Sequence, residues 1–342
     1  MANIHEVADA AGVSISTVSY ALSGKRPVSD ETRRRIEEAV QRLDYRPNAG
    51  ARMLAGRRTH ILAVTEPLRA DTHAPTHMAF VLATAVAARR EDYDVLLLTE
   101  EQASAGMHRV ATSGLADAII VLDVAPNDER VGLAHHIAVP SIFVGVPDAS
   151  EGLVCVDLDF DGAARMGVEH LADAGHGKLG LIGHAPEAYE LSNFPPRVRD
   201  GFVRSAAERH VEGEFRMLTG EGRTEARARR AAASLLDAGA TGILLHCNDD
   251  AHNGVLSEIA DRGLRIPEDV SLISVGSTLD TTAFDVPLSS IPLIPHLSCD
   301  LAVSLAMQFL SGEPPEPGVR LIPPTSVDHG SIGFRAASPG EA

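Results

Sequence analysis

Residues 59–342 alternate short runs of β-branched or leucine-rich sequence with helical stretches. The runs are "ILAVTE", "DVLLLTE", "DAIIVLD", "SIFVGV", "LVCVDL", "KLGLIG", "FRMLTG", "GILLHC" and "VSLISVG". Between them lie stretches such as "FVLATAVAARRE", "GAARMGVEHLADAG" and "TEARARRAAASLLDAG". A strand written as an almost unbroken apolar run is buried on both faces, and strands that alternate with helices pair in parallel. The pattern therefore predicts parallel sheets covered on both sides by helices. Nine or more such units exceed one sheet, so this body is expected to form two lobes that meet near Asp159–Gly162.

The same alternation would suit a nucleotide-dependent enzyme, but the motifs of that chemistry are missing. No G-x-G-x-x-G follows the first strand, and no G-x-x-x-x-G-K-[ST], H-E-x-x-H, C-x-x-C or G-x-S-x-G occurs. The 15 histidines are scattered, and adjacent His135 and His136 point to different helix faces. The expectation is a protein with no catalytic residues, no metal and no cofactor. "RTEARARR" reads as a solvated helix face rather than a second polyanion site. Three separated cysteines, Cys155, Cys247 and Cys299, give no disulfide framework and fit a reducing compartment. "MANIHEVADAAG" is too polar for a secretory signal and no apolar run reaches membrane length, so a cytoplasmic location is expected.

Charge divides the chain. Residues 1–58 hold ten Lys/Arg against seven Asp/Glu, a net +3, while the other 284 residues hold 20 against 40, a net −20. A basic head on an acidic body is expected where only the head meets a polyanion. In the head, Ile4, Val7, Ala8 and Ala11 recur at helical spacing up to Gly12. Ser14 can cap a second helix carrying Ile15, Val18, Ala21 and Leu22 on one side. A third helix starts at Ser29 and buries Ile36, Ala39, Val40 and Leu43. The turn "GVS" is so tight that the first two helices must cross steeply, as in a helix-turn-helix. The second helix of that motif enters the major groove, where Ile15, Ser16 and Tyr20 would meet base edges. Lys25, Arg26, Arg33 and Arg35 would surround them and meet phosphates. A three-helix protein-binding module is the alternative.

"VADAAGVSxxTVS", "VSxETRRRI", "LDYRPNAxAR" and "LAG", at fixed spacing over about fifty residues, resemble the head of lactose-repressor-type (LacI/GalR) transcription regulators. "DFDGAARMGVEHLADAGH", "LLHCNDDAHNGVLSEIADRGLRIPEDVSLISVG" and "PLSSI" resemble that family's effector domain. The resemblance implies an all-α helix-turn-helix head at 1–46, a hinge at 47–58, and an α/β two-lobed periplasmic-binding-protein-like domain with parallel sheets at 59–342. It further implies that the chain crosses between lobes near residues 160, 290 and 320. The DNA-binding residues it implies are Ser14, Ile15, Ser16, Thr17, Ser19, Tyr20, Lys25 and Arg33, with Asn48, Ala51 and Leu54 in the hinge. There Leu54 would wedge into the minor groove. Most of the family has Arg where this chain has Tyr20, which removes a bidentate guanine contact.

Aligned with the family's ligand positions are Asp161, Arg197 or Arg199, Asn248 and Thr278. Asp161 could instead cap its helix, and Asn248 could order its own loop. "GSTL" replaces the family's "GFDD", so Thr278 stands where a carboxylate often holds sugar hydroxyls. The implied function is that of a homodimeric regulator, a repressor, on a pseudo-palindromic operator in double-stranded DNA. Its implied controller is a small-molecule effector, a carbohydrate, with a regulator that has lost its ligand or changed to a non-sugar effector as the alternative. With no heptad pattern after Gly330, dimers are expected rather than tetramers, and no membrane is involved.

Overall fold

The computed structural model describes residues 2–23, 26–45, 58–67, 73–99 and 103–335. It divides into two compact units, Met1–Thr59 and His60–Ala342.

The first unit is a three-helix cluster: α1 (Ile4–Ala11), α2 (Ile15–Ser23) and α3 (Asp30–Arg42). Asn3 caps α1 in a reciprocal capping box with Glu6. Gly12 ends it in the left-handed conformation (φ 62°), and the Val13 N–H reaches back to the Ala8 carbonyl. Ser29 caps α3 through the Thr32 N–H. Val7, Ala8, Ala11, Val18, Ala21, Ile36 and Ala39 form the core, closed from below by Tyr45.

The second unit holds two sheets. The first contains β1 (Ile61–Thr65), β2 (Asp94–Leu98), β3 (Ala118–Val121), β4 (Ser141–Val144), β5 (Val154–Leu158) and the late strand β11 (Gly318–Ile322). The second contains β6 (Lys178–Ile182), β7 (Glu212–Arg216), β8 (Gly242–Leu245), β9 (Ser271–Ser277) and β10 (Ser289–Pro292). Their orders are β2-β1-β3-β4-β5-β11 and β7-β6-β8-β9-β10, with every pairing inside them parallel. Apart from the added edge strand β11, the two sheets thus repeat one strand order.

Alternate residues along each strand feed opposite faces, as the pleat requires. Leu62 and Val64 pack under α4 (Ala74–Arg90) and α12 (Pro295–Ser311), whereas Ala63 faces Met107 and Val110 of α5 (Ala103–Ser113). A short helix, α6 (Glu129–Ala134), follows β3. In the second lobe, α7 (Phe160–Asp173) and α9 (Phe194–Glu208) cover one face of the sheet. The other face is covered by α10 (Thr224–Asp237) and α11 (Asp249–Asp261), and the short α8 (Ala188–Leu191) precedes α9.

The chain passes between lobes at Asp159, at 293–294 and over 323–326, after which Val327 bridges antiparallel to Ser290. Sequence periodicity does not mark β10 or β11, and it sets β7 at "FRMLTG", a few residues late. All three are edge strands. β10 is half serine, β11 alternates exposed and half-buried positions, and β7 starts with two exposed residues. β7 and β11, covered on one face or less, lose the apolar run that reveals a central strand, whereas β10 is buried but opens with two serines.

Candidate functional site

In the head, the Ser14 hydroxyl accepts the Thr17 N–H at 3.1 Å, so Ser14 caps α2. Its hydroxyl also lies 2.8 Å from that of Ser16 and 2.7 Å from that of Thr17. Ile15 belongs outside the buried stripe: it is 40% exposed, beside exposed Ser16, while Val18 and Ala21 face the core. Thr17, Ser19 and Tyr20 are half-buried, and the Arg26 guanidinium lies over the Tyr20 ring at 5.2 Å. Arg33 is exposed on α3. The first turn of α2 thus offers short, uncharged side chains flanked by cations. Lys25, Asn48, Ala51 and Leu54, and with the last three nearly all of the hinge, lie outside the described residues.

In the body, a cavity of about 550 Å³ lies between the lobes. A parallel sheet of order 2-1-3-4-5 has its crevice between strands 1 and 3, where successive crossovers leave in opposite directions. Here both crevices face the same space. Glu66 follows β1 and Asp123 follows β3, while His184 follows β6 and His246 follows β8, and all four line the cavity. Asn248 and Thr278, both proposed from the sequence, line it too.

The first lobe's wall is fixed by Arg130 in α6, 1% exposed and among the largest fully buried side chains. Its guanidinium donates to both Asp128 carboxylate oxygens at 2.7–2.9 Å. It also donates to the Thr65 hydroxyl and to the Leu122 and Asp123 carbonyls at 2.8–3.1 Å. A buried cation so fully paired ties the ends of β1 and β3 together. Burial alone would raise the Asp128 pKa, but Arg130's hydrogen bonds and charge bring it below the usual range. Glu66, 1% exposed, has its pKa raised by burial, opposed by His77, whose Nδ1 lies 2.5 Å from Oε1.

The second lobe's wall is imidazole. His184 and His246 pack edge to face at 4.8 Å, and Phe194 and Phe160 enclose His246. Burial first, and then neighbouring imidazoles, hold His184 well below its usual pKa; burial brings His246 to about 4. Both rings are neutral at pH 7. His246 Nδ1 lies 2.8 Å from the Val275 carbonyl and so carries the proton, which leaves Nε2 an acceptor with no hydrogen-bond partner among the described residues. Behind them His252 is wedged between the Asn248 carbonyl (2.8 Å) and the Ser274 hydroxyl (3.0 Å).

Polar contacts join the lobes around this space. Thr76 meets Thr278 at 3.1 Å and His73 meets Asp249 at 3.1 Å. On another side the Ser192 hydroxyl donates to Asp123 at 3.2 Å, and Asn193 donates twice to the Val124 carbonyl. Gly145 (φ 130°) lets these segments approach, since a Cβ there would sit 2.7 Å from Val124 Cβ and 2.8 Å from Asn193 Nδ2.

Three sequence expectations need correction. Asp161 does not line the cavity: it sits in the first turn of α7 and pairs with Arg204 on α9, and the helix cap is Asp159. Arg199 does not line it either: it donates to Asp200 (2.7 Å) and lies over the Tyr189 ring. Arg197 sits one layer back. It donates to Asp157 at 2.6 Å and lies over Phe160, and Asp157 is the member of the pair that reaches the cavity. Burial pushes the Asp157 carboxyl up to about 6 although Arg197 pulls it down. Asn248 both lines the cavity and caps α11 through the Ala251 N–H. Glu66, His77, Asp123, His184 and His246 were not singled out in the sequence. For Glu66, Asp123 and His246 the signal was there, as the polar residues at the ends of "LAVTE", "IIVLD" and "LLHC"; His77, inside α4, and His184, past "KLGLIG", carried none.

Residues 3–48 match the family model described as bacterial regulatory proteins, lacI family, and residues 168–332 match the periplasmic binding protein-like domain. The chain is 29% identical over 296 residues to the HTH-type transcriptional regulator AglR of Rhizobium meliloti (strain 1021), covering 84% of this chain and 82% of AglR. It is 26% identical over 327 residues to the lactose operon repressor of Escherichia coli (strain K12), covering 91% and 85%. Among solved structures, the lac repressor dimer bound to operator and the anti-inducer ONPF superposes with a TM-score of 0.80 at 23% identity, covering 97% of this chain and 99% of that one. The transcriptional regulator CelR–cellobiose complex superposes with a TM-score of 0.64 at 21% identity, covering 97% and 100%.

Proposed function

The chain belongs to the lacI family of bacterial regulatory proteins, and on that premise we propose how its two units divide the work of a DNA-binding transcriptional regulator. The head holds operator DNA. Ile15 and Ser16 meet base edges, with Ser14, Thr17, Ser19 and Tyr20 around them, while Arg33 and Lys25 hold phosphates. Asn48, Ala51 and Leu54 belong to the hinge. The protein acts in the cytoplasm as a homodimeric repressor, one head per half-site of a pseudo-palindrome, and works by binding rather than turnover.

The inter-lobe cavity takes a small effector. What carries this reading is its position at the crevice of both sheets at once, with lining from each lobe. The names of the lactose operon repressor and of the CelR–cellobiose complex favour a sugar. Glu66, Asp123, Asn248 and Thr278 supply hydroxyl partners of the kind a sugar needs. Arg197 acts through Asp157. A ligand that favours one inter-lobe arrangement by about 1–3 kcal/mol changes operator affinity roughly 5- to 150-fold.

Selection of bound duplexes from a random pool by the full-length protein, followed by titration with a panel of neutral sugars, tests both parts. A palindromic consensus and at least one sugar that shifts its affinity are expected. No consensus would sink the head assignment, and no shift across the panel would sink the effector class. Tyr20→Arg is expected to change base preference at one position of each half-site; an unchanged consensus would remove Tyr20 from the reading set.

A further inference from the structure

Four of the chain's 15 histidines, His73, His77, His184 and His246, line the cavity. So do the carboxylates Glu66, Asp123, Asp157 and Glu187, against Arg227 and, one layer back, Arg197. A polyol needs hydroxyl partners, but it needs neither this excess of carboxylate nor this many imidazoles.

We propose that Glu66, His77 and Asp123 form a binding site for a divalent transition-metal ion. One ligand atom from each lies within 4.8 Å of the others. The three come from separate elements: the end of β1, the first turn of α4 and the loop after β3. Arg130 locks two of those elements by holding the Thr65 hydroxyl and the Asp123 carbonyl, so the carboxylates are placed rather than merely near. Glu66 is buried against His77 at 2.5 Å, closer than two ligands of one ion stand. Metal–ligand bonds of about 2.0–2.2 Å require that contact to open modestly, and the ion replaces the proton on it, which passes to the buffer.

The donor set selects the ion. One imidazole and two carboxylates suit zinc, manganese, cobalt or nickel better than magnesium or calcium, which favour oxygen alone. Cys247 also lines the cavity, but burial pushes its thiol pKa up and keeps it protonated, which disfavours thiolate-seeking copper(I). Three protein ligands leave at least one position open toward the cavity, where water or a ligand hydroxyl would bind. Asp123 also accepts the Ser192 hydroxyl from the second lobe, so an ion on Asp123 is linked to the contact that joins the lobes.

The test is calorimetric titration of full-length protein, stripped with EDTA, using zinc chloride, manganese chloride and magnesium chloride in turn. One zinc per chain is expected, tighter than magnesium. His77→Gln and Asp123→Asn should each weaken it on the order of 10- to 100-fold, while exposed His108→Gln should not. Cobalt(II) gives a readout that needs no variant: visible d–d bands that appear on stoichiometric addition and disappear when zinc is added. Undiminished zinc affinity in His77→Gln, or no wild-type binding tighter than about 1 mM, would overturn the proposal. Any coupling of this ion to the operator rests on the effector reading above. A sugar response of operator affinity that survives EDTA would leave that reading standing whatever the titration gives, so the two claims fail separately.

Discussion

The two lobes share a strand order, yet they bring different chemistry to the space between them. After strands 1 and 3 the first lobe places Glu66 and Asp123; after the matching strands the second places His184 and His246. Their anchors differ in the same way. The helix after β3 buries a charged clamp, Arg130 on Asp128 and three strand-end groups, whereas the helix after β8 buries neutral His252 between Asn248 and Ser274. The shared topology decides where a side chain meets the ligand. The residue at the strand end decides what it can do there, and each wall needs an anchor suited to its charge.

The largest expected effect lies in the charged anchor. Arg130→Met leaves the buried Asp128 carboxylate without its partner and should destabilise the body by about 3–5 kcal/mol in urea unfolding. A loss under 1 kcal/mol would mean that the clamp behaves like a surface pair.

Asp157 comes next. Its folded pKa of about 6 stands above the ordinary carboxylate value, so the folded chain holds a proton that the unfolded chain has already released. Its contribution should therefore weaken as pH rises from about 4 to about 6, by up to about 3 kcal/mol. Asp157→Asn should gain stability relative to the parent across that window. A constant difference between the two would remove this carboxylate as the cause.

His252→Leu breaks the neutral anchor, with an expected cost of about 1–3 kcal/mol from the unpaired groups left behind. If it matched Arg130→Met, the contrast between charged and neutral anchors would fail. Thr278→Val is the mildest change. It removes one inter-lobe hydroxyl contact, worth about 0.5–1.5 kcal/mol, and should loosen closure, read as a rise in the radius of gyration by solution scattering. No rise would show that the Thr76–Thr278 contact does not hold the lobes together.

Much of the body's fold was legible because central parallel strands are written as unbroken apolar runs. β11 escaped because its edge position relaxes that constraint, and β10 because serines fill two of its buried positions, Ser289 with its hydroxyl hydrogen-bonded to Asp328. Within the site, Asn248 and Thr278 could be located through their alignment with the family's ligand positions, and both lie just after strands, β8 and β9, whose ends open on the cavity. Asp161 and Arg199 were misplaced because each residue along a helix turns about 100°, so that Asp161, one step after cavity-lining Phe160, and Arg199, two steps after Arg197, point elsewhere. Motif alignment does not resolve that rotation.

The sequence by itself determined the three-helix head, since caps, turn and apolar stripes all act within a few residues of one another. It also determined the two-lobed parallel architecture, because burial on both faces of a strand is recorded in consecutive residues. Only tertiary structure decided that Glu66, His77 and Asp123 meet opposite His184 and His246. Those residues are spread from position 66 to position 246 over both lobes, and their approach follows from how two sheets face each other. No local propensity encodes that arrangement.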